Sequence, residues 1–163
     1  MVRKMKKITI LLLVIFSFGS YAKGLKPYMF SLEDEDGKIV NLSDLKGSVV
    51  YLVFWSKTCT TCEEEMPVIN SLYKKYKDKN VKFFGIVIDE KDKNKIKEIK
   101  KKWGFEFPVL IGNDTVKDKY RIYGTPITYI LRKNLTIGKI IYGAHSKKKL
   151  EKYIKKFLEE SYD

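Results

Sequence analysis

The sequence predicts an α/β domain in which a central mixed β-sheet is flanked by helices, and three observations carry that expectation. Residues 48–55 and 81–88 are near-continuous β-branched and aromatic runs, which suits strands covered on both faces of a parallel or mixed sheet. Amphipathic stretches of helical spacing alternate with these runs through the first half of the chain. The 163 residues, 44% hydrophobic and 13% aromatic with 10 Gly and 4 Pro, are enough for one sizeable core and exclude a disordered, collagen-like or cysteine-scaffolded chain.

The elements follow in order. Residues 24–30 are extended, and Asp34, Glu35, Asp36 and Gly37 form a turn before Lys38, Ile39 and Val40, so an N-terminal β-hairpin is expected. Residues 41–47 suit a single capped helical turn. After the first buried strand, residues 63–76 have helical spacing with Met66, Ile69, Leu72, Tyr73 and Tyr76 on one side. The second buried strand ends at Asp89 and Glu90; residues 91–103 form a helix stopped by Gly104, and residues 107–111 a short strand. A short helix over 114–123, capped by Gly124, leads through Thr125 and Pro126 into a strand over 127–131. A turn at 132–134, a return strand over 137–142 and an amphipathic helix over 146–159 close the chain.

The first residues carry a different signal. Arg3, Lys4, Lys6 and Lys7 precede an uncharged apolar run over residues 8–18 and a small-residue segment ending Ser20-Tyr21-Ala22, the layout of a secretory signal peptide. The run is shorter than the roughly 20 residues of a spanning helix, so an uncleaved membrane anchor is the lesser alternative. The expected organisation is a leader over residues 1–22 and one domain over 23–163, placed in the periplasm or another extracytoplasmic compartment. Losing the four leader cations takes the formal charge from +13 to +9, nearly all of it lysine. Export and the absence of any zinc-finger, helix-turn-helix or RNA-binding signature argue against nucleic acid, and the lysines lie on the polar faces of amphipathic stretches.

The two cysteines of the chain are Cys59 and Cys62. A disulfide across this spacing closes so short a loop that it restrains the unfolded chain little, and a zinc site would need about four ligands where two thiols and the distant His145 are present. Redox chemistry is the remaining use, with no cofactor and no metal. The pair falls between a buried strand and a helix. This sets Cys59 at the helix N-terminus, where free N–H groups favour a thiolate, and Cys62 one turn inside to resolve a mixed disulfide.

The segment Phe54, Trp55, Ser56, Lys57, Thr58, Cys59, Thr60, Thr61, Cys62, then Glu65, Met66 and Pro67, resembles the active-site segment of the thioredoxin superfamily, and most nearly the exported TlpA/ResA-like thiol-disulfide oxidoreductases. The resemblance extends over residues 25–160. It implies a thioredoxin-like fold, a cis-proline loop at Gly124, Thr125 and Pro126 facing the cysteines, and an extra αβ insertion over residues 91–111. It also implies that the Thr125 backbone pairs with an extended substrate segment. Trp55 reads as a packing residue beside the site and Pro67 as a kink in the helix.

Departures from the family pattern carry their own implications. Thr58 stands where a tryptophan is common, and Thr60 and Thr61 replace a proline-containing pair, so a relative's reduction potential does not transfer. Glu63, Glu64 and Glu65 favour the helix but oppose a thiolate, which leans the protein toward a reductant. Val53 and Lys82 stand where relatives carry acids that relay protons, leaving Asp89 and Glu90 at the strand's carboxyl end as the nearest candidates. His145 reads as a surface or helix-start residue. The expected partners are cysteine-containing exported proteins, apocytochrome c among them through cytochrome c maturation, and an upstream membrane electron donor, with the protein acting as a monomer. The competing expectation is a copper-handling protein of the same fold, since soft thiolates suit Cu(I). A peroxidase would need a proline- and threonine-containing loop before Cys59 that the chain lacks.

Overall fold

The computed structural model describes residues 24–161, so the expected leader over 1–22 lies outside the described residues. Strands β1 (Ser31–Glu33) and β2 (Ile39–Asn41) form the antiparallel N-terminal hairpin, followed by a 3-10 turn at Leu42–Leu45. Then come β3 (Val49–Trp55), α1 (Thr60–Tyr76), β4 (Val81–Val87), α2 (Lys93–Trp103), β5 (Val109–Ile111), α3 (Asp114–Lys119), β6 (Ile127–Leu131), β7 (Ile137–Tyr142) and α4 (Lys147–Glu159). The five longer-range strands make one sheet in the order β5-β4-β3-β6-β7. β4 runs parallel to β3 and to β5, and β6 is antiparallel to both β3 and β7, so the sheet is mixed as the sequence predicts.

Every residue of β3 is buried, because successive side chains go to opposite faces and both faces are covered. Tyr51, Val53 and Trp55 join Met66, Ile69 and Leu72 of α1, Ile96 and Trp103 of α2, and Leu150, Ile154 and Phe157 of α4 in one core. Val50, Leu52 and Phe54 face the other way, onto Leu32 of the hairpin, Leu42, and Val116 and Tyr120 around α3. The β3 strand is thereby held rigidly along its whole length, and its C-terminal end delivers the chain to Cys59.

The inserted segment is tied to the hairpin. Glu35 N–H donates to the Val109 carbonyl at 3.0 Å, the Glu35 carboxylate accepts from Val109 N–H at 2.8 Å, and Lys100 of α2 pairs with the same carboxylate. The β5 edge of the sheet is covered in this way rather than left open to another chain.

Several boundaries differ from the sequence expectation. α1 begins at Thr60, three residues earlier, because Cys59 itself is the N-cap. α2 begins at Lys93, where the Asp92 side chain accepts from Asn94 N–H at 2.9 Å and Lys95 N–H at 3.3 Å. The strand expected over 107–111 is reduced to β5. α3 ends at Lys119 and not at Tyr123: Tyr120 turns inward, its hydroxyl donating to the Tyr28 carbonyl at 2.8 Å, and Arg121 takes the left-handed conformation with φ 54°. Gly104 ends α2 with φ 70°, as its position implies.

Candidate active site

Cys59 and Cys62 are joined by a disulfide at the N-terminus of α1. Cys59 is half-buried and Cys62 fully buried. The first turn wraps around the outer sulfur, with Cys62 N–H directed at Cys59 Sγ from 3.1 Å. The free N–H groups and the dipole of a 17-residue helix therefore converge on Cys59, the setting that favours negative charge on sulfur when the bond opens. Thr60 and Thr61 sit exposed on this first turn, and Thr58 is exposed just before it.

Across from the pair is the loop of Thr125 and Pro126, whose connecting peptide bond is cis. Cys59 Sγ lies 3.5 Å from the Thr125 carbonyl oxygen. The β3–α1 corner and the α3–β6 loop, 66 residues apart in the chain, thus meet at the outer sulfur.

Asp89 and Glu90 hold the loop before the cysteines. Asp89 accepts from Ser56 Oγ at 2.7 Å and from Lys57 N–H at 2.9 Å, while Ser56 Oγ also lies 2.9 Å from Thr58 Oγ1. Glu90 pairs with Lys57 Nζ at 2.8 Å, and that bond, with the Asp92 and Lys91 N–H groups, holds its carboxyl down at about 2. A carboxylate held that low carries no proton at neutral pH. Asp89 and Glu90, the two acids expected as the nearest candidates for a proton relay, brace the loop before the cysteines.

Glu65 is the titratable group that the structure does bring to the pair's inner side. It lies one turn beyond Cys62 on the same face of α1, only 3% exposed, between the buried Cys62 and Met66. Its Oε1 accepts from the His145 backbone N–H at 2.9 Å, and Oε2 has no partner among the described residues. Burial pushes its carboxyl up to about 7, against the smaller opposing effect of the His145 bond. From the sequence, Glu65 is one of three acids that favour the helix and oppose a nearby thiolate. In the structure it is inside, and only Glu63 and Glu64 remain outside, half-buried and exposed. The signal was present in the spacing, because residues 62, 65, 66, 69, 72 and 76 form one helical stripe and Glu65 stands within it.

The other expected residues fall as follows. Trp55 is fully buried, its ring 5.2 Å from Trp103 and 6.0 Å from Phe105, with its indole N–H unpartnered among the described residues. Pro67 is exposed inside α1, which continues through it without the hydrogen bond that its nitrogen cannot donate. Val53 is buried and Lys82 exposed. The His145 ring lies against Lys149 Nζ at 3.3 Å. Among the described residues no three His, Cys, Asp or Glu side chains gather as a metal site would require.

Comparison with known proteins agrees with this geometry. A family profile described as AhpC/TSA family matches residues 24–140. The chain is 37% identical over 129 residues to the thiol-disulfide oxidoreductase ResA of Bacillus thuringiensis subsp. konkukian, an alignment covering 78% of this chain and 73% of that protein. It is 31% identical over 136 residues to ResA of Bacillus subtilis, covering 83% and 75%. Among solved structures, a thiol:disulfide interchange protein of the thioredoxin family from Chlorobium tepidum superposes with a TM-score of 0.76 at 23% identity, covering 84% of this chain and 98% of that one. StoA from Bacillus subtilis gives a TM-score of 0.66 at 22% identity, covering 78% and 96%. At these identities the two structures speak for the fold.

Proposed function

The chain belongs to the AhpC/TSA family and is a thiol-disulfide oxidoreductase of the ResA type, and on that premise we propose that its Cys59–Cys62 pair reduces disulfides in cysteine-bearing proteins outside the cytoplasm. The observation that carries this reading is the half-buried Cys59 sulfur at the N-terminus of α1, 3.5 Å from the Thr125 carbonyl of the facing loop. In the reduced protein, the Cys59 thiolate attacks one sulfur of a substrate disulfide, forming a mixed disulfide and expelling the substrate's other sulfur as a thiolate. The Cys62 thiolate then attacks Cys59 Sγ, releasing the second substrate thiolate and leaving the intramolecular disulfide. Two electrons and, after protonation, two protons pass to the substrate.

Thr125 and Pro126 hold the substrate segment in extended form beside Cys59. Glu65 takes the Cys62 proton before the resolving attack, because a carboxyl raised to about 7 exchanges protons near neutral pH. Trp55, Thr58, Thr60, Thr61 and Pro67 shape the surroundings of the pair without touching the exchanged atoms. Glu63 and Glu64 at the start of α1 disfavour the Cys59 thiolate and so destabilise the reduced form relative to the disulfide, which supports the reducing direction. Apocytochrome c is the proposed substrate within cytochrome c maturation, a membrane donor the source of electrons, and the monomer the working form. The signal-peptide layout of residues 1–22 supports export.

Equilibration with dithiothreitol buffers, followed by alkylation and mass measurement, tests the direction. A potential near or below about −270 mV is expected; a value near −120 mV would make the protein an oxidant. In the same assay Cys62→Ser accumulates mixed disulfide with a substrate protein and Cys59→Ser does not. Accumulation on Cys59→Ser instead would reverse the roles.

A further inference from the structure

A second feature adjoins the reactive sulfur and is unused by the exchange itself. Arg121 adopts φ 54°, a conformation that any side chain bearing a Cβ resists and glycine adopts freely. Its backbone only closes the end of α3, with Arg121 N–H donating to the Asp118 carbonyl at 3.0 Å, and glycine would serve there equally. Its guanidinium carries no hydrogen bond or ion pair among the described residues and is exposed. A strained position occupied by a long cation with no internal hydrogen bond or ion pair points to a use outside the fold.

That use is indicated by what surrounds it. Arg121, Tyr123 and Tyr142 line a cleft of about 270 Å³ whose other wall is Thr125 and Pro126, and no acidic side chain lines it. Tyr123 is 89% and Tyr142 68% exposed, the first and third most exposed large apolar side chains among the described residues. Thr125, a wall of the cleft, also sets its carbonyl oxygen 3.5 Å from Cys59 Sγ, so the cleft adjoins the exchange site through that residue.

We propose that Arg121 selects substrates by pairing with a carboxylate that flanks the reacting cysteine, while Tyr123 and Tyr142 pack on the apolar part of the same extended segment. The proposal rests on the oxidoreductase reading and narrows it: the preferred partner is a protein whose cysteine lies within a few residues of Asp or Glu. Charge complementarity supports this occupant over a basic one, since the cleft offers an unpaired cation in a chain of net charge +13. Tyrosine supplies contact area with little loss of side-chain freedom, and the guanidinium fork fits a carboxylate in two-point fashion.

The test compares two disulfide-bonded peptides of equal length, one with Glu and one with Lys on both sides of the cysteine, reduced by the full-length reduced protein at low salt. Hydroxyethyl disulfide, small and neutral, is run alongside. The Glu peptide is expected to react about fivefold faster than the Lys peptide, the factor a partly exposed ion pair supplies. In Arg121→Gly, which accepts the left-handed backbone and so keeps the fold, the ratio falls toward one; in Arg121→Glu it inverts; in Arg121→Lys much of it survives. An unchanged ratio in Arg121→Gly and Arg121→Glu would overturn the proposal, assigning any preference to the diffuse lysine surface. Reduction of hydroxyethyl disulfide without reduction of either peptide would overturn it while leaving the thiol chemistry intact. Failure to reduce all three would remove the oxidoreductase reading and this inference with it.

Discussion

Glu65 shows how a single side chain sets the pH response of the site. Its carboxyl is held at about 7 in the folded protein, against the ordinary 4.5, by burial beside the Tyr51 ring of β3 and below the His145 loop. The folded state therefore keeps a proton that the unfolded chain has already lost between these two values. Stability falls as pH rises from about 4.5 to 7 and is level above, a loss of roughly 3 kcal/mol if the whole shift is expressed. Glu65→Gln keeps the acceptor for His145 N–H and removes the titration, so urea melts at pH 5, 6, 7 and 8 should show a flatter profile than the wild type. A parallel slope in the variant would mean that Glu65 ionises without cost. Trp55 is placed by a different residue-level constraint: a Cβ at Gly85 would stand 2.8 Å from the Trp55 indole nitrogen, so the glycine in β4 is what admits the ring beneath the site.

Among the elements, the hairpin and the inserted α2–β5 unit depend on each other. β5 has only three residues and pairs on one side with β4, and its other edge is met by Glu35 and by the Asp34–Leu110 bridge. The Glu35 carboxylate is 6% exposed at its side chain and is satisfied by Lys100 and Val109 N–H. Replacing it by Ala strands a donor and leaves Lys100 short of its partner, so Glu35→Ala should cost about 3 kcal/mol in chemical denaturation. The accompanying signature is faster hydrogen exchange at Val109. A loss below about 0.5 kcal/mol would show that water replaces the carboxylate readily. α1 belongs to the same scale: its N-cap is the reactive residue itself, so helix start and exchange chemistry occupy one position.

At the scale of the molecule, the sheet separates two cores and leaves the site at the end of its central strand, where the C-terminal end of β3, the N-terminus of α1 and the Thr125–Pro126 loop converge. The surface is strongly basic, and α4 alone carries Lys147, Lys148, Lys149, Lys152, Lys155 and Lys156. Such a field speeds encounter with acidic partners and is screened beyond about 10 Å at 0.1 M salt. The rate of reducing an acidic protein disulfide should fall between 0.02 and about 0.5 M salt while that of hydroxyethyl disulfide stays flat, as read by quenched time courses. Equal salt dependence for the two would remove electrostatic docking.

What the sequence determined by itself is local: the order of strands and helices, the buried character of β3 and β4, the position of Cys59 at a helix start and the place of Thr125 and Pro126. The first three follow from periodicity and turn chemistry within windows of about ten residues, and the last from the resemblance to the thioredoxin superfamily. What the tertiary structure decided involves charges whose meaning depends on distant partners. Glu65 was one of three acids grouped at the helix start until His145, 80 residues away, closed over it. Asp89 and Glu90 looked free until Ser56 and Lys57, 33 residues earlier, took them up. Arg121 looked like part of a helix running to Tyr123 until the inward turn of Tyr120 ended that helix and left the cation beside the cleft. Hydrophobic pattern is written along the chain, whereas the burial or pairing of a charge is a property of the assembled neighbourhood, and the chemistry of this site depends on both.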